Sequence, residues 1–157
     1  MTAAMNALEL KVPPLALAFA FALAMWLAAT QAPTLAVELP AHGLIAALVA
    51  GLGAGLVLVA GLGFRRAGTT VNPTRPQATT SVVDSGVYRI SRNPMYLGFL
   101  LVLTGWAGYL SHVLPFLFLP AYVGYMNRFQ IAPEERMLAA KFGRDYEAYR
   151  QAVRRWL

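Results

Sequence analysis

Two short polar clusters hold the residue types and spacings that could do chemistry. Ser91-Arg92-Asn93-Pro94 stands immediately before an apolar run. A helix that starts there offers unpaired backbone N–H groups to an anion or a bound carboxylate. Arg92 can add a two-pronged contact. The same four residues read equally as an interfacial helix start with no ligand. Glu134-Glu135 follows Ala132-Pro133 and can bind an ammonium group or hydroxyls. It reads equally as the acids of a first helical turn, behind an early proline. The chain contains no cysteine, which excludes a thiolate metal site and a cysteine nucleophile. His42 and His112 lie far apart without a neighbouring carboxylate, so no metal centre is expected.

The elements that must position these clusters are apolar. In 157 residues, 58% are apolar and 13% charged; a soluble globular domain carries about 25% charged residues. Only one of the thirteen Lys and Arg, Lys11, precedes residue 65. This pattern predicts an all-α integral membrane protein with one basic face. It argues against a soluble enzyme and against a disordered chain. The net charge of +6 is read as orientation and contact with anionic lipid, not as nucleic-acid binding.

About four spans are predicted, near 12–32, 44–64, 94–110 and 113–127. The first, around Leu15 to Ala29, could also be a signal peptide, but further spans follow it. The last two form a tight hairpin turning at Ser111-His112; the rival is one broken helix with a re-entrant piece. Ala16, Ala20, Ala24 and Ala28 make one small-residue stripe, and Ala47, Gly51, Gly55 and Gly63 a second. The second is read as a helix-packing face. The 65–93 loop is basic, with turn signals at Asn72-Pro73, Arg75-Pro76 and Ser85-Gly86. Residues 30–43 hold Glu38 and no Lys or Arg. These asymmetries predict both termini, the loop and a 128–157 cap in the cytoplasm, as one domain in a bacterial inner membrane. The cap reads as amphipathic helices starting at Ala132-Pro133 and divided at Gly143.

A resemblance runs from about Gly68 to Trp156. Its pieces are Gly68-Thr69-Thr70-Val71-Asn72-Pro73, then Gly86-Val87-Tyr88-Arg89-Ile90-Ser91-Arg92-Asn93-Pro94-Met95-Tyr96-Leu97-Gly98. Glu134-Glu135-Arg136-Met137-Leu138, Phe142-Gly143-Arg144-Asp145-Tyr146-Glu147-Ala148-Tyr149 and Val153-Arg154-Arg155-Trp156 complete it. In this order, and separated by a hydrophobic hairpin, they resemble the isoprenylcysteine carboxyl methyltransferase family, which also covers phospholipid N-methyltransferase-like membrane enzymes. The resemblance implies S-adenosyl-L-methionine as methyl donor, with S-adenosyl-L-homocysteine as product, in a cytoplasmic pocket. It implies that Tyr88, Arg92, Asn93, Tyr96 and Gly98 line the cofactor site. Glu134 and Glu135 would lie beside it, Glu135 as a cofactor contact and Glu134 as a catalytic group. Tyr146 and Tyr149 would close the pocket, and Arg89 or Arg154 would meet an anionic substrate group. Family members usually carry Arg-His-Pro where this chain has Arg92-Asn93-Pro94. Asn93 can donate a hydrogen bond but does not titrate near neutrality.

The chemistry expected is methylation of a lipophilic or lipid-linked carboxylate. The donor's sulfonium is already activated, so the enzyme needs chiefly to align the nucleophile and exclude water. A carboxylate needs only an orienting cation, whereas an amine must first lose a proton, to Glu134 or Glu135. Three alternatives stand beside this reading: phospholipid amine N-methylation, a sterol-reductase-like enzyme using a nicotinamide nucleotide, and a non-enzymatic membrane interaction protein. The small-residue stripes leave the choice between monomer and homodimer open.

Overall fold

The computed structural model describes residues 9–37, 42–68 and 79–157. The Thr69 to Pro73 piece of the resemblance, the Arg75-Pro76 turn signal and Glu38 lie outside them. The described residues are helical: α1 Pro14–Gln31, α2 His42–Arg66, α3 Pro94–Tyr109, α4 Val113–Tyr125, α5 Ala132–Phe142 and α6 Arg144–Ala152. Short 3-10 turns occupy Pro33–Leu35 and Gly86–Arg89. Among the described residues β-pairing is confined to a single bridge between Ala36 and His112.

Two of the helices, α1 and α2, are long and apolar enough to cross a membrane. Only 17% of each apolar window is buried inside the protein. Leu15, Phe19 and Leu23 of α1, with Leu48, Leu52 and Leu58 of α2, face outward. A soluble protein's core helix would bury such residues; here an apolar surrounding has to cover them.

Close approach of α2 and α3 is the tightest packing in the molecule. A methyl group placed on Gly53 would sit 2.6 Å from the Gly98 carbonyl oxygen, and one on Gly105 would sit 2.6 Å from the Ala46 carbonyl oxygen. The packing face of α2 is therefore Ala46, Gly53 and Ala60, all buried. The expected stripe of Ala47, Gly51, Gly55 and Gly63 is corrected: Gly51 and Gly55 are exposed with open space around them. A seven-residue interval drifts only about 20° around a helix, whereas each four-residue step drifts about 40° at 3.6 residues per turn. The α1 stripe is likewise not its packing face, since Ala16 and Ala20 are exposed. Instead α1 packs through Leu17, Ala18 and Met25. Phe21 meets Tyr122 of α4 edge-on at 5.5 Å, and the Trp106 indole donates to the Ala22 carbonyl at 3.0 Å.

The predicted hairpin is present, with Ser111 in the left-handed region at φ 48°. His112 holds it. Its Nδ1 accepts the Leu114 N–H at 3.1 Å, which caps α4, so Nε2 carries the hydrogen and donates to the Ala32 carbonyl at 2.7 Å. This ring thus ties the hairpin to the end of α1.

The α-helix expected at Ala132-Pro133 begins there, but it continues an existing helix instead of rising from a loop. From α4 the chain continues through a π-helical turn, Met126–Ile131, directly into α5, with helical backbone angles at both junctions. Pro133 has no N–H to give the Phe129 carbonyl. That carbonyl accepts the Leu10 N–H instead, at 3.0 Å. Glu9 beside it pairs with Arg128 at 2.7 Å and Arg136 at 2.6 Å. The hydrogen bond from Arg128 is the main cause holding the Glu9 carboxyl below its ordinary range. The predicted break at Gly143 is present, with φ 53° between α5 and α6.

The glycine crossing generates a paired expectation. Alanine is normally favoured over glycine in a helix by about 1 kcal/mol. Gly51→Ala should therefore leave thermal stability in detergent unchanged or slightly raised. Gly53→Ala must push α2 away from α3 and should lower stability by about 1–3 kcal/mol. Equal melting temperatures for the two variants would show that the crossing is looser than described.

Candidate active site

The site is a narrow cleft with a cavity of about 60 Å³, open on one side, at the end of the helices where α2 finishes and α3 begins. Phe64 of α2 and the Thr79–Val83 stretch form one wall, with Tyr88 and Asn93 beside them. Ile131, Glu134, Glu135 and Leu138 come from the continuous helix, and Tyr146 and Tyr149 from α6.

Arg92 sits at the junction of these pieces and is nearly buried, its side chain 10% exposed. One Nη donates to the carbonyls of Arg150 at 2.7 Å and Val153 at 3.2 Å, which are free because α6 ends there. The other Nη pairs with Glu135 Oε1 at 2.8 Å. The Arg92 backbone N–H meets the Arg154 carbonyl at 2.9 Å, and Asn93 Nδ2 meets the Arg155 carbonyl at 3.0 Å. Arg155 turns back onto the same carboxylate, with Nε at 3.1 Å and Nη2 at 2.5 Å. Trp156 Nε1 donates to Asn127 Oδ1 at 3.1 Å, so the tail is stitched to both sides of the cleft.

The sequence-predicted residues separate into three groups. Tyr88, Arg92, Asn93, Glu134, Glu135, Tyr146 and Tyr149 line the cleft together. Tyr96 reaches its edge by donating its hydroxyl to Glu134 Oε2 at 2.9 Å. Gly98, Arg89 and Arg154 do not line it: Gly98 is spent on the α2 crossing, and Arg89 and Arg154 are exposed outside. Sequence reasoning missed Arg155, whose only signal was its pairing with Arg154. It also missed Phe64 and the Thr79–Val83 wall, which resemble any span end and loop. Gln130, buried in the π-helical turn, was missed too; its Nε2 donates to the Tyr96 hydroxyl at 3.4 Å.

The electrostatics of the two adjacent acids diverge. Glu135 faces two guanidinium groups. Glu134 has no cation partner among the described residues. Burial pushes its carboxyl up to about 7; the Tyr96 hydrogen bond pulls the other way, and the neighbouring Glu135 charge adds to the rise. Burial likewise raises Tyr146, to about 12, with Glu135 adding to it. Tyr149 is pushed up by burial and by Tyr146, and its hydroxyl donates to the Tyr88 carbonyl at 2.8 Å. Tyr88 is raised chiefly by burial, lies edge-on to Phe64 at 5.2 Å, and reaches the Ala60 carbonyl at 3.4 Å. These phenols are therefore neutral walls and hydrogen-bond donors, not bases.

Three features would suit a donor with a carboxylate, an amino group, a flat base and a sulfonium. Arg92 Nε–H is buried without a hydrogen-bond partner among the described residues. Three tyrosines and Phe64 supply aromatic faces that attract a cation. Glu134 supplies an acceptor.

Two outcomes are expected from this geometry. Removing the Arg92 side chain leaves Glu135 half-paired and two carbonyls of the tail, those of Arg150 and Val153, unsatisfied. Arg92→Ala should cost about 3–5 kcal/mol and expose the tail to trypsin at Arg154 and Arg155; Arg154→Ala should do neither. Limited digestion followed by mass spectrometry checks this. For Glu134, the unfolded chain ionises near 4.5 and the folded one near 7. Between those values the folded protein keeps a proton that the unfolded chain has lost. Stability should thus fall as pH rises through that window, by up to about 3 kcal/mol, and stay reduced above it. Glu134→Gln should remove this component, seen as a smaller difference in melting temperature between pH 5 and pH 8.

A family model described as phospholipid methyltransferase matches residues 41–145. A protein of Haemophilus influenzae described as uncharacterized is 46% identical over 63 residues, which cover 40% of this chain and all of that one. No solved structure matches the chain.

Proposed function

The chain belongs to the phospholipid methyltransferase family, and we propose that it is an S-adenosylmethionine-dependent methyltransferase of the membrane, acting on a lipophilic acceptor. The observation that carries this reading is the cleft itself. It gathers an arginine with a spare buried N–H, an acid pair and four aromatic faces at the basic end of an apolar helical bundle. The family match supports methyl transfer over the reductase and non-enzymatic readings.

When bound, the donor would supply an activated methyl group on a sulfonium. Arg92 Nε and Asn93 would meet its carboxylate, and Tyr88, Tyr146 and Tyr149 would flank its base and sulfonium. The walls exclude water from the methyl group. We read α3, and the continuous helix from α4 through the π-helical turn, as the third and fourth crossings. Val113 to Ile131 is 19 residues, about 28 Å at 1.5 Å per residue, close to the hydrocarbon thickness. The basic loop and cap then face the cytoplasm, with both termini.

A lipophilic acceptor is supported by a second space. An apolar groove of about 520 Å³ runs between α1 and α2 over α3, lined by residues such as Phe19, Ala22, Leu58, Phe99 and Trp106. It opens sideways, where a bilayer would lie, so a chain-bearing substrate need not cross water to reach the protein. Both acceptor classes, a lipid-linked carboxylate as in isoprenylcysteine and a phospholipid amine, bear such chains.

Calorimetric titration of S-adenosylhomocysteine into the detergent-purified protein tests the assignment. Saturable binding is expected, weakened about tenfold or more by Tyr149→Ala through loss of a face contact, and unchanged by Arg89→Ala. Absence of binding to the native protein would sink the cofactor reading.

A further inference from the structure

We propose that the stretch before α1 selects the register of the helix that runs from α4 into α5, and that Glu9 is thereby a positioning residue of the cleft. This deepens the methyltransferase reading and rests on it for the ligand that the cleft holds.

The π-helical turn Met126–Ile131 is where the two ends of the chain meet. Asn127 Oδ1 holds the tail through Trp156, Arg128 pairs with Glu9, and the Phe129 carbonyl accepts the Leu10 N–H. The next residue, Gln130, reaches the Tyr96 hydroxyl at 3.4 Å, and that hydroxyl donates to Glu134 at the cleft. A change of register at this turn therefore moves the tail and the cleft residues together.

The spacing of its partners tells Glu9 one register from another. Arg128 and Arg136 are eight residues apart, and both pair with this one carboxylate, at 2.7 and 2.6 Å. In an unbroken α-helix eight residues turn through about 800°, which leaves the two side chains about 80° apart. A π-helical turn absorbs one extra residue, or about 100°. The offset then falls to about 20°, and the two guanidinium groups stand on one face. Glu9 is thus a clamp that fits the π register and fits an unbroken α-helix poorly. Its side chain is 17% exposed, so the carboxylate has exchanged most of its water for the two arginines.

Leu10 adds a second hold. Its φ is 58°, in the left-handed region that residues other than glycine rarely adopt. That turn of the backbone aims its N–H at the Phe129 carbonyl, 3.0 Å away. Pro133, four residues on, has no N–H to offer the same carbonyl. Pro133 weakens the α pattern, while Glu9 and Leu10 reward the π one. A strained residue persists where its surroundings over-determine it, and here those surroundings are the turn itself.

Spin labels on the full-length protein in nanodiscs test this, since the chain has no cysteine of its own to compete for them. Ala121→Cys and Ala140→Cys place the labels at exposed positions on either side of the turn. If the turn becomes α-helical the labels swing apart around the axis, and their separation should lengthen by on the order of 3 Å. Glu9→Ala should show the longer distance without any donor present. It should also weaken S-adenosylhomocysteine about tenfold in calorimetric titration, because Asn127 and Gln130 leave their partners. Glu9→Asp should keep the native distance and most of the affinity. Glu9→Gln, which removes the charge and keeps the size, should behave as Glu9→Ala and serves if that variant does not fold. Pro133→Ala restores the missing N–H, yet with Glu9 in place it should keep the native distance. A longer distance there would show that proline sets the register, and overturns the proposal. A lower melting temperature in Glu9→Ala with native distance and native affinity is what a merely structural ion pair would give, and it overturns the proposal as well. Failure of the native protein to bind S-adenosylhomocysteine overturns the donor reading; the label distances report the register without donor, so the two failures are told apart.

Discussion

The guanidinium of Arg92 is the contact on which the cleft-bearing end of the structure depends. It fills the junction of three pieces that no covalent proximity brings together: the loop before α3, the acid pair of α5 and the chain end after α6. A planar group with donors on several edges can satisfy helix-end carbonyls and a carboxylate at once. A lysine could not, because its three donors sit on one nitrogen and cannot span partners on separate edges. The Glu135 charge is what makes burial of Arg92 tolerable, and Arg155 supplies the second cation that Glu135 accommodates. Tyr88, Tyr146 and Tyr149 are positioned because this junction holds their backbones.

The two neighbouring glutamates show how one helical turn can separate opposite roles. Successive residues on a helix point about 100° apart, so Glu135 faces the arginines and Glu134 faces Tyr96. One is committed to structure, held by two guanidinium groups. The other is left in a poorly hydrated place with a single hydrogen bond, and its affinity for a proton rises accordingly.

Much of this was legible in the sequence. The apolar runs, the hairpin at Ser111-His112 and the break at Gly143 follow from hydropathy and turn chemistry, which act locally. The clustering of Arg92, Asn93 and the glutamates was also legible, because polar residues concentrate where the chain meets water. The small-residue face was misread because glycines at four-residue spacing catch the eye, while the seven-residue set of Ala46, Gly53 and Ala60 follows the helix more closely. The α-helix starting at Ala132-Pro133 was legible because proline is common in a first turn; that Leu10 would occupy the carbonyl Pro133 leaves vacant depends on a contact across most of the chain. What was not legible is that Arg92 also holds backbone carbonyls of the tail. Carbonyls are carried by every residue and leave no trace in side-chain patterns.

The ties of the first helix bear on how the protein is made. The Ala32 carbonyl awaits His112, 80 residues later; the Ala22 carbonyl awaits Trp106, 84 residues later; Glu9 awaits Arg128, 119 residues later. A ribosome therefore delivers α1 to the bilayer long before any of its lateral fastenings exist. The glycine-lined pair α2 and α3 can form earlier, as adjacent elements. Among the described helices, α1 is consequently locked after the helices that follow it. A truncated nascent chain lacking the hairpin would leave α1 free to leave the assembly.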